Sequence, residues 1–488
     1  MNINRIITLL AGMLILNGVA VADNSKAPEA CLPVPTPQQV EWQKLETYAF
    51  IHFGPNTFND KEWGYGDAPA SSFNPTRLDC EQWVQTLVKS GFKGVILTCK
   101  HHDGFCLWPT QYTDYSVRNS PYKDGQGDVV RELSDACQKY GIKFGVYLSP
   151  WDRHQAFYGT PLYRNYYYSQ LEELMTNYGE VFEVWFDGAN GGDGWYGGAR
   201  EKREIDRSTY YDYPQAWAIV NRLQPNAVIF SDGGPGCRWV GNEKGYANPT
   251  NWSFLRGGVV YPGYPAYEEL QSGHADGDTW CASECNTSIR PGWFYHESED
   301  NKVKTVDELV DLYYRNVGHN GTFLLNFPVN REGLIHPTDS ATIVAWRERI
   351  NRELGKNLLA GAKFSASDTR NKQFGAAMMG DGDWDTYWAP SDGVTAAEIV
   401  IKTKKDVTLN RMLLQEYIPL GQRVKEFVIE YKTCCGKWAP VIVDEETTTI
   451  GYKRIVRFAE KTSKEWRIRI LDSRACPCIN NIEGYYAE

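Results

Sequence analysis

Histidine is scarce in this chain: there are 8 in 488 residues and none beyond His336. The C-terminal stretch is therefore a poor seat for acid–base chemistry. Basic residues are outnumbered, 51 Lys and Arg against 61 Asp and Glu, and a net charge of -10 offers no counterion-release gain on nucleic acid or an anionic membrane. Neutral substrates fit better. No apolar run long enough to span a bilayer follows residue 22. The Gly-x-Gly-x-x-Gly turn that would support a dinucleotide fold is missing after the first strand-like run. Cys281 and Cys285 lack a second His or Cys pair to complete a zinc set, so no metal site is expected. Most of the 12 cysteines read as scattered buried thiols. Cys434-Cys435 and Cys476-Pro477-Cys478 are the candidates for pairing in an oxidising compartment.

What is present begins with Arg5, an apolar stretch over 6–22, and the small-x-small pattern Ala20-Val21-Ala22 before Asp23. Residues 1–22 read as a cleaved signal peptide, which makes the protein exported, periplasmic or secreted, with no membrane insertion. Aromatic residues reach 14%, with 17 Trp and 30 Tyr, many beside Gly, Pro and Asp, where rings can stack on sugar C–H faces.

The length predicts two domains. Across 23–355, apolar runs at 49–53, 94–99, 143–148, 182–186, 227–231, 279–283 and 322–327 alternate with helical patterns at 80–90, 129–140, 163–178, 213–223 and 306–317. Such alternation predicts a parallel sheet closed as a (β/α)8-like barrel. A helix over 340–354 closes this domain. Residues 356–488 change to short period-2 runs at 397–402, 411–416, 426–431, 447–451, 454–458 and 465–471, which predicts an antiparallel β-sandwich.

Chemistry in such barrels gathers where strands finish. The run Val184-Trp185-Phe186 ends in Asp187-Gly188, another ends in His101-His102-Asp103, and a third in Pro150-Trp151-Asp152. Strand ends thus offer His52, His101, His102, Asp187, Asp232 and Glu284, with Glu243 in the next loop. Two acids flanking a neutral substrate suit acetal cleavage, one attacking or activating water and the other protonating the leaving oxygen.

Lys100-His101-His102-Asp103-Gly104-Phe105-Cys106-Leu107-Trp108, Thr113-Asp114-Tyr115-Ser116 and Val184-Trp185-Phe186-Asp187-Gly188 together resemble family 29 glycoside hydrolases, the retaining α-L-fucosidases. His52-Phe53-Gly54 resembles the family's first strand end, and Arg238-Trp239-Val240-Gly241-Asn242-Glu243 and Ser288-Ile289-Arg290-Pro291-Gly292-Trp293-Phe294 are similar to the branch selective for α-1,3/1,4-linked fucose on branched, Lewis-type sugars. The resemblance implies a barrel followed by a β-sandwich, Asp187 as nucleophile and Glu243 as acid/base, with Glu284 as the rival for the second role. It further implies a fucose pocket drawn from His52, Glu62, Trp63, His101, His102, Tyr147, Arg290 and Trp293. Cys237 stands where the branch usually has an acid, and 191–207 looks like an insertion. No cofactor is required. The turn Asp381-Gly382-Asp383-Trp384-Asp385-Thr386 resembles that of discoidin-like, galactose-binding-like domains and is a candidate for a structural calcium ion. The competing readings are a broad-specificity fucosidase, a hydrolase of a related 6-deoxy or L-configured sugar, and a silent sugar-binding protein.

Overall fold

The computed structural model describes residues 24–488; the expected signal peptide lies outside them. Eight parallel strands close a barrel: β1 (Thr47–Ile51), β2 (Gly94–Lys100), β3 (Lys143–Leu148), β4 (Glu183–Trp185), β5 (Val228–Ser231), β6 (Cys237–Trp239), β7 (Ala282–Ser288) and β8 (Thr322–Asn326). Sequence neighbours are sheet neighbours, and β8 pairs with β1 to close the seam. Every residue of β1 and β2 is buried, because helices cover the outer face and side chains fill the inner one.

Helices α1 (Cys80–Lys89), α2 (Val129–Tyr140), α3 (Leu162–Asn177) and α4 (Tyr213–Leu223) follow the first four strands, and α5 (Val306–Asn316) and α6 (Pro337–Leu354) follow the last two. Their limits are written locally. Asp79 and Asp128 cap α1 and α2, Gly141 ends α2 in the left-handed region, and Thr305 and Glu308 form a capping box on α5. Only residues 232–236 separate β5 from β6. The ribbon Phe254–Leu255 with Thr279–Trp280 lies on that side, and its Phe254 and Trp280 pack with Ile418 and Tyr452 of the second domain.

That domain is antiparallel: β9 (Lys363–Ala366), β10 (Ala397–Glu416), β11 (Val424–Lys432), β12 (Trp438–Pro440), β13 (Arg454–Ser473) and β14 (Ile479–Tyr485), in the order β9-β10-β13-β11-β12 with β14 also on β10. Register shifts between Lys402 and Val407 and between Leu409 and Arg411 bend the long β10–β13 pair, as bulges do. What reads as two pairs of short strands in the sequence is therefore one long pair. Trp388, Trp466, Ile399, Met412 and Phe427 fill its core.

Three expectations are corrected. Residues 447–451 form no strand; Thr448 and Thr449 instead bond to Thr250 and Asn251 of the barrel. The seventh barrel strand is Ala282–Ser288, three residues later than its apolar run, because that run belongs partly to the ribbon ending at Trp280. All twelve cysteines are free. Cys434 and Cys435 are exposed chain neighbours, closer at Cα than a relaxed disulfide allows, and the thiol of Cys476 sits 3.4 Å from the Arg423 guanidinium. Among the described residues no helix is long and apolar enough to cross a membrane.

Candidate active site

A cavity of about 360 Å³ opens at the C-terminal mouth of the barrel, and Asp187, His52, His101, His102, Tyr147, Trp63, Trp293 and Glu243 all line it. Asp187 stands two residues beyond the end of β4. Its Oδ2 accepts from the Tyr147 hydroxyl at 3.0 Å and its Oδ1 from the Ala189 N–H at 2.7 Å. Burial pushes this carboxyl up, while those two donors pull it back. One side-chain donor and one backbone donor thus aim a carboxylate into the cavity.

Three imidazoles sit beside it. Ser149 donates to the Trp151 carbonyl at 2.7 Å, so its oxygen must accept from His102 Nδ1–H, also at 2.7 Å. His102 Nε2 is then bare and lies 3.8 Å from Asp187 Oδ2. Asn326 donates through Nδ2 to the Trp293 carbonyl and the Ser288 hydroxyl, so its Oδ1 accepts from His52 Nδ1–H at 2.8 Å. His52 likewise keeps a bare Nε2. Burial drives both rings down to about 3, and His101, also buried, lies well below its ordinary value. At neutral pH these are uncharged rings suited to hydroxyl groups. His101 Nδ1 is buried with no protein partner.

Aromatic walls close the space. Trp63, half exposed at 53%, meets His102 and Trp151 edge-on with centroids 5.2 and 5.7 Å apart. Trp293 leans over His52 at 5.1 Å and donates its indole N–H to Glu243 Oε2 at 3.3 Å. Glu243 is exposed on the rim, beyond β6. Burial of its carboxyl against the wall and the charge of Asp187 raise its pKa, against the Trp293 hydrogen bond, which lowers it.

Three anticipated residues lie elsewhere. Glu62 works behind the wall: its carboxylate accepts the N–H groups of Trp293 and Phe294 at 2.8 and 3.1 Å and is bonded by His296 at 2.8 Å. Arg290 forms a buried bidentate pair with Asp339, 2.9 Å from each carboxylate oxygen, and reaches Asp300 at 2.8 Å. It fixes the loop carrying Trp293 to α6 and does not line the cavity. Removing one partner of such a pair typically costs about 3–5 kcal/mol.

Glu284 is fully buried. It pairs in register with Thr322, the first residue of β8, and so belongs to the bottom layer of the barrel. There it accepts from Tyr48 at 2.6 Å and from the Trp185 indole at 2.8 Å, and it shares a hydrogen bond with Glu183. Glu183, Cys237 and Glu284 have ligand atoms within 4.8 Å of one another. Donors from Tyr48, Trp185 and Trp42 already satisfy those carboxylates, which suits a proton-sharing pair better than a metal ion.

Asn286, Arg207, Tyr264 and Tyr267 also line the cavity and were not foreseen. Asn286 had a readable signal. Side chains two apart on a strand share a face, so Asn286 follows from Glu284 once β7 is placed in its true register. The other three come from loops with no periodic pattern.

An acid presented at a barrel strand end, facing a cavity walled by indoles and uncharged imidazoles, is machinery for a neutral sugar, and fold and site together define a glycoside hydrolase. The α-L-fucosidase family model matches residues 33–346, and the F5/8 type C domain model matches residues 363–475. The chain belongs to the α-L-fucosidases of glycoside hydrolase family 29. It is 42% identical over 97% of its length to α-L-fucosidase 1 of Arabidopsis thaliana, covering 92% of that protein. The structure of a putative α-L-fucosidase from Bacteroides thetaiotaomicron is similar with a TM-score of 0.87 and 41% identity, over 95% of this chain and 99% of that one. A Ruminococcus gnavus family 29 fucosidase in complex with fucose gives a TM-score of 0.83 at 34% identity, over 95% of this chain and 97% of the other.

Proposed function

We propose that this α-L-fucosidase removes terminal fucose linked α-1,3 or α-1,4 on branched, Lewis-type glycans by a retaining double displacement. Asp187 attacks the anomeric carbon while the Glu243 carboxyl gives its proton to the departing glycosidic oxygen. A covalent fucosyl–Asp187 ester and a free sugar result. Glu243, now a carboxylate, takes a proton from water, whose oxygen displaces Asp187 and releases fucose with its configuration retained. The observation carrying this reading is the Asp187 carboxylate, held by Tyr147 and Ala189 in a cavity whose rim bears Glu243.

In the same reading the bare Nε2 atoms of His52 and His102, with His101, accept or share fucose hydroxyls. Trp63 and Trp293 take the ring and the C5 methyl. Recognition of one methyl group is worth only about 1–3 kcal/mol, so related sugars should react slowly. No cofactor takes part. In the acidic turn of the second domain, Asp381 already accepts from the Asp383 N–H at 2.9 Å and the Thr386 hydroxyl at 2.7 Å, which supports a packing role. Export rests on the composition of residues 1–22, and mass spectrometry of the mature N-terminus tests it.

The decisive experiment follows fucose release from a Lewis-type trisaccharide, 2'-fucosyllactose and a nitrophenyl α-L-fucoside, with proton NMR of the first-formed sugar. Retention and a higher kcat/KM on the trisaccharide are expected. First appearance of β-fucose would end the double-displacement mechanism, and equal rates on all three would end the linkage assignment.

A further inference from the structure

One carboxylate in the cavity has no task in the chemistry above. Asp232 directly follows β5 and is only 8% exposed, yet it lines the cavity. Its Oδ2 accepts the Gly263 N–H at 2.6 Å, and among the described residues nothing donates to Oδ1. One glycine makes room for it. A Cβ on Gly188, the neighbour of Asp187, would fall 2.3 Å from Asp232 Oδ2. Gly263, with φ of +80°, leaves no space for one either, since Arg207 Cδ and Gly188 O would lie 3.0 and 3.1 Å away. Arg207 closes the junction by donating to the Gly263 carbonyl at 3.1 Å. A nearly buried carboxylate is costly without such support.

The position has a direction. Tyr147 and His102 occupy one flank of Asp187, together with the imidazoles and Trp293. Gly188 and Asp232 stand on the other, joined to the loop that contributes Gly263, Tyr264 and Tyr267 to the wall. The first flank has the acceptors and rings for the reacting sugar, which leaves the second for whatever that sugar is attached to. Arg207 supplies the cation on this side, out of the inserted segment.

We propose that Asp232 is a substrate-contacting residue that accepts a hydroxyl of the sugar carrying the fucose, with Gly263 and Arg207 holding its carboxylate in place. This rests on the proposed reaction at Asp187 and deepens it by assigning a leaving-group contact. Burial first, and then repulsion from Asp187, push Asp232 up to about 7 against the pull of the Gly263 N–H and Arg207. An acceptor role therefore strengthens as the pH rises. The competing role is purely electrostatic, with Asp232 acting only on the charge of Asp187.

The test compares native protein with Asp232→Asn, Asp232→Ala and Arg207→Gln on a Lewis-type trisaccharide and on a nitrophenyl α-L-fucoside, recording kcat/KM against pH. For Asp232→Ala the loss on the trisaccharide is expected to exceed the loss on the aryl fucoside at least tenfold, with a smaller excess for Asp232→Asn, whose amide oxygen still accepts, and with the acid limb on the aryl fucoside in place. Arg207, whose side chain is exposed, should show the same discrimination at threefold or more, and it carries the test if the Asp232 variants fail to fold. Equal losses on both substrates, or a displaced acid limb, would overturn the contact in favour of the electrostatic role. Native protein that leaves both substrates intact would instead bring down the reaction at Asp187 itself.

Discussion

Glu243 and Glu284 are both glutamates whose carboxyls burial pushes upward, but their surroundings give them different work. Glu243 faces the cavity from the rim, whereas Glu284 spends its oxygens on Tyr48, Trp185 and Glu183 beneath the floor. In the proposed reaction Asp187 must be ionised to attack and Glu243 protonated to donate, and both are shifted up from ordinary carboxylate values. The profile of kcat/KM against pH should be a bell with both limbs displaced upward from the ordinary carboxylate values. Glu243→Gln should erase the alkaline limb and slow a trisaccharide by about 10²–10⁴-fold, while an aryl fucoside with a good leaving group suffers far less. Glu284→Gln should show no such leaving-group dependence and should lower Tm instead, because Glu183 loses its proton-sharing partner. Exchange of these two patterns would return the acid/base role to Glu284.

Among the elements, the loop between β7 and α5 depends on charge in a way that can be measured. His296 bridges Asp60 at 2.6 Å and Glu62 at 2.8 Å, and Glu62 in turn holds the backbone of Trp293 and Phe294. Burial lowers the His296 pKa, but its bonds to the two carboxylates outweigh that and leave it raised. A raised histidine stabilises the fold fully below its unfolded value of about 6.5 and loses that contribution as the pH climbs through its folded value. His296→Gln should therefore cost stability at pH 5–6 and little at pH 9. The expected size is about 0.5–1 kcal/mol, because the partners are well exposed; calorimetry at both pH values checks it, and an equal cost at both would rule out a charge effect. The first five strands and β8 were legible in sequence as uninterrupted apolar runs, and the six barrel helices as the segments between and after them. β6 escaped as a strand because Cys237-Arg238-Trp239 has a charged residue at its centre and forms no apolar run. β7 was misplaced because its sequence, Ala282-Ser283-Glu284-Cys285-Asn286-Thr287-Ser288, is polar where it faces the barrel interior, and that error carried Glu284 to the strand end. Arg290 and Glu62 lie in the right motifs, but a motif does not say whether a side chain faces the cavity or the wall behind it.

At the scale of the molecule the two domains share one structure. Glu46, just before β1, pairs with Lys453 and accepts from Tyr452 at 2.9 Å. Asn320 binds the Tyr452 N–H through its side chain and the Lys453 carbonyl through its backbone, and Arg454 reaches the Pro249 carbonyl at 2.8 Å. Helix α5 joins these contacts, with Tyr313 donating to Glu46 and Asp311 pairing with Arg457. A chain ending at Leu354 would expose Phe254 and Trp280 and strand the carboxylate of Glu46. It is expected to aggregate, or to lack the single cooperative melt of the full chain, as judged by size-exclusion chromatography and circular dichroism. A soluble, active truncated barrel would show that the interface is dispensable.

The seam between β1 and β8 also has a consequence in time. His52 and Asn326, which meet across it, are 274 positions apart in the chain, and Glu46 and Lys453 are 407 apart. At ribosomal rates of about 5–20 residues per second, the first barrel strand waits roughly 15–55 s for its partner. Throughout that interval Tyr48, Phe50 and Ile51 present an unpaired hydrophobic edge, the kind of surface that nascent chains lose to aggregation. Yield of folded protein should thus depend on what shields that edge during synthesis as much as on the stability of the finished barrel.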